Sequence, residues 1–288
     1  MKVELIDSVE EFIETTTAFR AADPLRTNII GSVSLAVSTG RTTYDDYRWW
    51  IVRGVDGDVV GVAMRTSPFN MFITPMPIDA ARALGRSVGR FDDGLPGVTG
   101  SKDIVDALVD GYVRSESPGS TRTLTEHRRD LLYELEELIT PEVEGFARPA
   151  RPDEIEPLAT MFLEFTDEVE LAPLSLADAR DGVKKSIAAG SLYCWEFEGA
   201  IAAIAGHAPI VATESTLIGR VGPVFTPRQF RRRGFGSAVT AHVSRRLIER
   251  GARVMLYADA ANPTSNGIYQ EIGYRLVDEL VQMRFDGA

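Results

Sequence analysis

Apolar and polar positions along this 288-residue chain follow two periods. Residues 8–22 carry Phe12 and Phe19 in a helical pattern, and a second helix is expected over 27–38. Trp49 to Val52 then reads as a strand, Asp56-Gly57 as a hairpin turn, and 59–64 as the partner strand. A further strand is expected near 70–74 and a helix over 78–88. Pro96-Gly97-Val98-Thr99-Gly100 leads into another helix, 101–112. Leu131-Leu132-Tyr133-Glu134-Leu135 fits a helix by propensity and a strand by alternation. Strand is chosen because the second half ends the same way.

The second half repeats this order of elements with different residues. After a linker around 141–151 come helices over 152–165 and 175–189. A hairpin follows, 192–197 and 200–208, turning at Glu198-Gly199. Strand, glycine segment and helix complete the half. The organisation expected is two units, 1–143 and 147–288.

The stretch Val221 to Ala238 carries the clearest chemistry. An apolar strand passes Pro227 into a basic loop, closes on Gly234 and Gly236, and opens a helical pattern at Ser237 with Val239, Val243 and Leu247 on one face. The first N–H groups of a helix lack intrahelical partners, and glycine lets an anion approach them. Arg231, Arg232 and Arg233 add charge, so the segment reads as a pyrophosphate site. A dinucleotide fingerprint requires glycine where Val239 stands, and the Gly-Lys-Ser/Thr of a Walker loop is absent. Arg231-x-x-Gly234-x-Gly236 fits the pattern Gln/Arg-x-x-Gly-x-Gly/Ala and resembles the pyrophosphate loop of the GNAT superfamily of acyl-CoA-dependent N-acyltransferases. Downstream, 253–258 reads as a buried strand. Asn262 is a helix N-cap with Pro263 after it, and Gly273 a stop. Asn262, Asn266 and Tyr269 share one helix face. Asn-Pro-x-Ser-Asn-x-x-Tyr followed by Gly273-Tyr274 resembles a second motif of the same superfamily. The resemblance covers about 147–288.

The resemblance implies an α/β (α+β) fold of two GNAT-like mixed β-sheets flanked by helices, in tandem, the first a degenerate copy. Near Leu95 to Ser101 that copy has glycines but no Arg-x-x-Gly-x-Gly, so no coenzyme is expected there. Its implied part is to pack on the catalytic half and wall the acceptor pocket, with residues 8–38 and the loop between Leu171 and Leu174. The implied reaction is acyl transfer from acetyl-CoA to a neutral amine. Val224, Phe225 and Thr226 would hold the pantetheine arm and thioester carbonyl. The N–H groups of Val224 and Thr226 are the candidate donors, since Pro223 and Pro227 have none. Gln229, Arg231, Arg232, Arg233, Gly234, Phe235, Gly236 and Ser237 would bind the pyrophosphate. Tyr269 would protonate the departing thiolate, Asn266 contact the coenzyme arm, and Asn262 serve chiefly as a cap while lying on the coenzyme-facing side. The base is unassigned: Glu198, Glu214 and Asp259 are near the strand ends, and water is an alternative route. His207 could face the pocket. His242 packs or is solvated, and His127 sits in a charged stretch.

Composition narrows the partners. Lys and Arg number 31 against 42 Asp and Glu, a net charge of -11, which argues against general nucleic-acid binding and weakly favours a cationic amine acceptor, small molecule or protein. The single cysteine, Cys194, allows no intrachain disulfide and lies in an apolar run where burial is expected. The start has no signal-peptide shape, and no apolar run reaches the ~20 residues of a membrane span, so a cytosolic location is expected. No His/Cys spacing suggests a metal, and no Gly-x-Ser-x-Gly elbow suggests serine chemistry. Two alternatives accompany the acetyltransferase. One is a module that binds or senses acyl-CoA without turnover. The other is a tandem acyltransferase using a bulkier donor, a long acyl-CoA or aminoacyl-tRNA, the latter disfavoured by the acidic charge.

Overall fold

The computed structural model describes residues 1–91, 94–114, 123–169, 174–213 and 216–286. The first half runs β1 (Lys2–Ile6), α1 (Val9–Thr15), α2 (Thr17–Ala22), α3 (Asn28–Ser38), β2 (Tyr47–Arg53), β3 (Val59–Thr66), β4 (Met71–Ile73), α4 (Ile78–Phe91), β5 (Gly97–Gly100), α5 (Lys102–Val113) and β6 (Leu124–Leu135). The second runs β7 (Phe146–Pro149), a 3₁₀ turn (Pro152–Glu154) entering α6 (Ile155–Glu168), α7 (Leu176–Ala188), β8 (Leu192–Phe197), β9 (Ala200–His207), β10 (Val211–Ala212), β11 (Leu217–Phe225), α8 (Phe235–Ile248), β12 (Ala252–Asp259), α9 (Pro263–Glu271) and β13 (Tyr274–Phe285).

Both expected mixed sheets are present, joined into one of thirteen strands, ordered β1-β2-β3-β4-β5-β13-β6-β12-β11-β9-β8-β7, with β10 paired to β11. The joint is an exchange. The last strand of the second half, β13, lies between β5 and β6 of the first. The last strand of the first half, β6, lies between β12 and β13 of the second. The two exchanged strands pair antiparallel from Tyr274 opposite Leu135 to Phe285 opposite Leu124.

Helices cover both faces, so interior strands are apolar on both sides. In β2, Trp49 and Ile51 pack with Phe12 and Ile30 of α1 and α3, while Trp50 and Val52 pack with Leu84 and Leu108 of α4 and α5. In the second half Cys194 and Ile204 meet α6 and α7, and Tyr193, Ala203 and Ala205 meet α8. Leu25, between α2 and α3, packs on Leu132, Ile218 and Met255, so the first half reaches over the second half's strands.

Several local expectations need correction. Residues 8–22 form two helices that meet at the buried Thr16, whose hydroxyl donates to the Phe12 carbonyl at 2.7 Å and accepts from Arg20 Nε at 3.0 Å, a back-bonding that bends a helix. The glycine segment near 97–100 is strand β5. Its glycines serve close approach: a Cβ on Gly97 would stand 2.2 Å from the Met283 carbonyl oxygen, and one on Gly100 2.6 Å from Ile73. The first half's counterpart of the strand-to-helix loop is therefore 74–77, between β4 and α4. Strand β7 lies within the stretch assigned to the linker; its Pro149 is tolerated because β7 is a sheet edge. Strand β1 carries only five residues at the other edge and was not expected.

Candidate active site

Strands β11 and β12 run parallel and pair from Leu217 opposite Ala252 to Val221 opposite Leu256. Pairing stops there, yet β11 continues to Phe225 and β12 to Asp259. On its other edge β11 stays with β9, through a bulge between Val221 and Val224, with Val224 opposite Ala205 and Phe225 opposite Ile204. The carboxyl ends of two parallel strands thus have unpaired facing edges, the usual ligand position in sheets of this kind.

The loop from β11 to α8 is built around its arginines. Arg231 Nε donates to the Thr226 carbonyl at 2.9 Å, and Nη2 donates to Glu168 Oε2 at 2.5 Å. Arg231 is thereby turned toward α6. Gln229 and Arg232 are exposed, and Arg232 has a φ of 60°. Arg233 lies over the Phe197 ring at 4.2 Å and the Phe235 ring at 4.9 Å. Helix α8 begins at Phe235, two residues before the expected Ser237, because Gly234 at φ 80° ends the loop as N-cap. No side chain caps it. A Cβ on Gly236 would lie 3.0 Å from Thr226 Oγ1, and one on Gly234 2.9 Å from Val143 Cγ2. Both positions thus exclude a side chain, and the opening amides of Phe235, Gly236 and Ser237 lie at the positive end of the helix dipole.

Asn262, exposed, caps α9 by accepting from the Ser265 amide at 3.0 Å. Asn266 is buried and engaged on both sides of its amide. Nδ2 donates to the Asp259 carbonyl at 2.9 Å, and Oδ1 accepts from the Tyr133 hydroxyl at 3.3 Å. It braces α9 to the end of β12 and to exchanged strand β6. Tyr269 is 8% exposed, with its ring 6.4 Å from Tyr133 and 6.2 Å from Tyr274. Burial pushes its phenol up to about 12.

A cavity of about 450 Å³ lies at the carboxyl end of β12, lined by residues of β6, the end of α6 and Asp259 to Ala261. Of the carboxylates considered as base, Asp259 lines it. Its Oδ1 accepts from the Ala261 amide at 2.8 Å, and Arg128 stands 3.7 Å from its Oδ2. Glu198 sits in the β8–β9 turn with φ 49°, away from this cavity, and Glu214 lies outside the described residues, as do 171–173 of the loop expected to wall the pocket. Arg128 binds Asp130 at 2.7 Å and the Val169 carbonyl at 2.9 Å. Neither Arg128 nor Glu168 was anticipated; charged residues inside the apolar pattern of β6 were the available signal. His127 also lines the cavity. His207 is buried, donates through Nδ1 to the Ala208 carbonyl at 2.8 Å, and has its pKa pushed down, mainly by burial. His242 packs 5.2 Å from the Tyr193 ring. Cys194 is buried and its thiol pushed up to about 12 by desolvation. Among the described residues no group of three or more His, Cys, Asp or Glu could hold a metal, and no helix is long and apolar enough to cross a membrane.

Residues 207–283 match the family described as FR47-like protein. No curated protein matches the sequence. Among solved structures the chain is similar to an acetyltransferase from the GNAT family from Colwellia psychrerythraea, at 12% identity and TM-score 0.64, covering 99% of this chain and 100% of that one. It is also similar to a GCN5-related N-acetyltransferase from Sphaerobacter thermophilus, at 15% identity and TM-score 0.64, covering 98% and 95%. A tandem GNAT protein from the clavulanic acid biosynthesis pathway aligns at 12% identity and TM-score 0.61, covering 100% and 99%.

Proposed function

For a chain built on the GNAT fold in tandem form, with an FR47-like segment in its second half, we propose acyl-CoA-dependent N-acetylation of an amine, in the second half alone. The observation that carries this reading is one alignment of features. An uncapped helix start flanked by two glycines lies at the open carboxyl ends of β11 and β12, with a buried tyrosine on the helix after β12. In this reading the boundary between a non-catalytic unit, 1–143, and a catalytic one, 147–288, falls in the connection between β6 and β7.

The uncapped amides that open α8 suit a pyrophosphate, and Gly234 and Gly236 put no side chain of their own before them. The amides of Phe235, Gly236 and Ser237 would hold the phosphates, with Gln229, Arg232 and Arg233 at the rim. Arg231 acts indirectly, tying the loop to Glu168. Val224, Phe225 and Thr226 would offer backbone groups to the pantetheine arm. Acetyl-CoA supplies an activated acyl thioester. Tyr269 Oη holds a proton throughout the neutral range and delivers it to the departing thiolate. Asn266 positions α9 through Asp259 and Tyr133, and Asn262 starts that helix. Asp259 is the favoured carboxylate for receiving the amine's proton, directly or through water, because it lines the cavity at the strand ends.

Titration calorimetry with acetyl-CoA and thiol release with a panel of amines test the proposal together. Binding with acceptor-dependent release is expected. Binding without release from any amine favours the sensing module, and release only with longer acyl donors favours the bulkier-donor reading. No binding removes the proposal.

A further inference from the structure

On the face of the sheet that carries α3, β11 directs Arg220 at that helix. Its Nε donates to Asn28 Oδ1 at 3.1 Å and its Nη2 to Ser32 Oγ at 3.0 Å. Both partners are neutral. The ionisable groups that bear on this guanidinium are Tyr257 and Tyr44, and no carboxylate among the described residues pairs with it. Arg220 lies deep enough that desolvation pushes its pKa down, yet it keeps accessible surface. A deep side chain that a solvent probe still reaches lines a recess.

The groups around it share one chemistry. Asn28 is 1% exposed, and its Nδ2 has no hydrogen-bond partner. The buried hydroxyl of Tyr257 has none either. With the remaining guanidinium hydrogens, the unmatched groups are all N–H or O–H. An unmet buried polar group is costly, and a buried charge without a counter-ion more so. Water answers the amide and the phenol but leaves the charge uncompensated. A carboxylate answers all of them, and its planar fork matches a guanidinium.

Arg220 stands one residue before Val221, the last β11 residue paired with β12, and about 7 Å along the strand from Gly222 at roughly 3.3 Å per residue. It lies on the face opposite Val221, which packs in the core beneath α8. The phosphates are assigned to the loop beyond β11 and the start of α8, whereas Tyr257, beside Arg220, stands two residues before Asp259 on the same face of β12. Asn28 and Ser32 come from the first half, Arg220 and Tyr257 from the second, so the site exists only where the halves meet.

We propose that Arg220, Asn28 and Tyr257 hold the carboxylate of the acceptor, an amine that carries its own acid group, as an amino acid does. This rests on the transferase reading above and refines the expectation, drawn from net charge, of a cationic amine over an acidic acceptor.

The test compares amino acids with their carboxamides as acceptors. Wild type should show kcat/KM about 100-fold higher for the acid, since the carboxamide brings no charge and turns an N–H toward buried donors. Arg220→Met should bring the acid-to-amide ratio near one. Asn28→Asp supplies the guanidinium with a carboxylate of the protein's own; it should raise Tm and also abolish the preference. Equal use of acid and amide by wild type, or a ratio unchanged in both variants, overturns the proposal. Failure of the transferase reading shows separately, as absence of acetyl-CoA binding and of thiol release. In that event propionate and propionamide are titrated at constant ionic strength. Propionate should raise the Tm of wild type and not of Asn28→Asp; equal shifts overturn the recess as a carboxylate site.

Discussion

Tyr269 shows what burial does to a single acid. Its phenol, pushed up to about 12, keeps its proton at any working pH but gives it up reluctantly. We predict that Tyr269→Phe lowers kcat about 100-fold, the lower end of general-acid contributions, with little change in acetyl-CoA affinity; an unchanged kcat removes the role. The protonated form persists below about 12, so the wild-type rate should show no alkaline fall from this group between roughly pH 6 and 10. His207 titrates the other way. Its folded pKa is depressed, mainly by burial, so its stabilising contribution is present above the unfolded value and lost as pH falls through the folded one. Denaturant unfolding of His207→Gln at several pH values should show a smaller loss of stability on acidification than wild type; an equal loss would contradict it.

Elements carry the glycine arguments. Gly236→Glu places a carboxylate at an uncapped helix start beside Thr226, where it crowds and repels an anion. Acetyl-CoA affinity should fall at least about tenfold, an effect of about 1.4 kcal/mol; normal affinity by calorimetry would refute the loop assignment. Gly273, at φ 104°, has the Glu137 carbonyl oxygen 1.7 Å from where a Cβ would stand, so Gly273→Ala should lower Tm sharply. Its role as a stop before β13 was legible because the left-handed turn leaves a local mark. So were Asn262 as cap and the Glu198-Gly199 hairpin turn. Strand β5 was not, since its two glycines answer to Met283 and Ile73, which are distant or unrelated in pattern. The cavity at Asp259 was half legible. The carboxylate stood at an evident strand end, whereas Arg128 reached it only through the pairing of β6 with β12, which no local pattern encodes.

At the scale of the molecule the exchanged strands decide what can stand alone. Tyr133 of β6 belongs to the second half's core and bonds Asn266, and Val281 and Met283 of β13 belong to the first half's core. Fragments 1–143 and 147–288 should each express as poorly folded, aggregation-prone chains and regain a cooperative melt when co-expressed; a cooperative melt for either alone would contradict this. The connection between β6 and β7, residues 136–145, crosses five strand spacings, about 24 Å, with a reach of about 35 Å. A lone ancestor resembling either half would have needed a neighbour to fill its sheet, and its folding would have depended on how concentrated it was. Covalent fusion removes that dependence. Each half lends the other a strand, so neither can be discarded whatever it binds, and its retention is a matter of architecture.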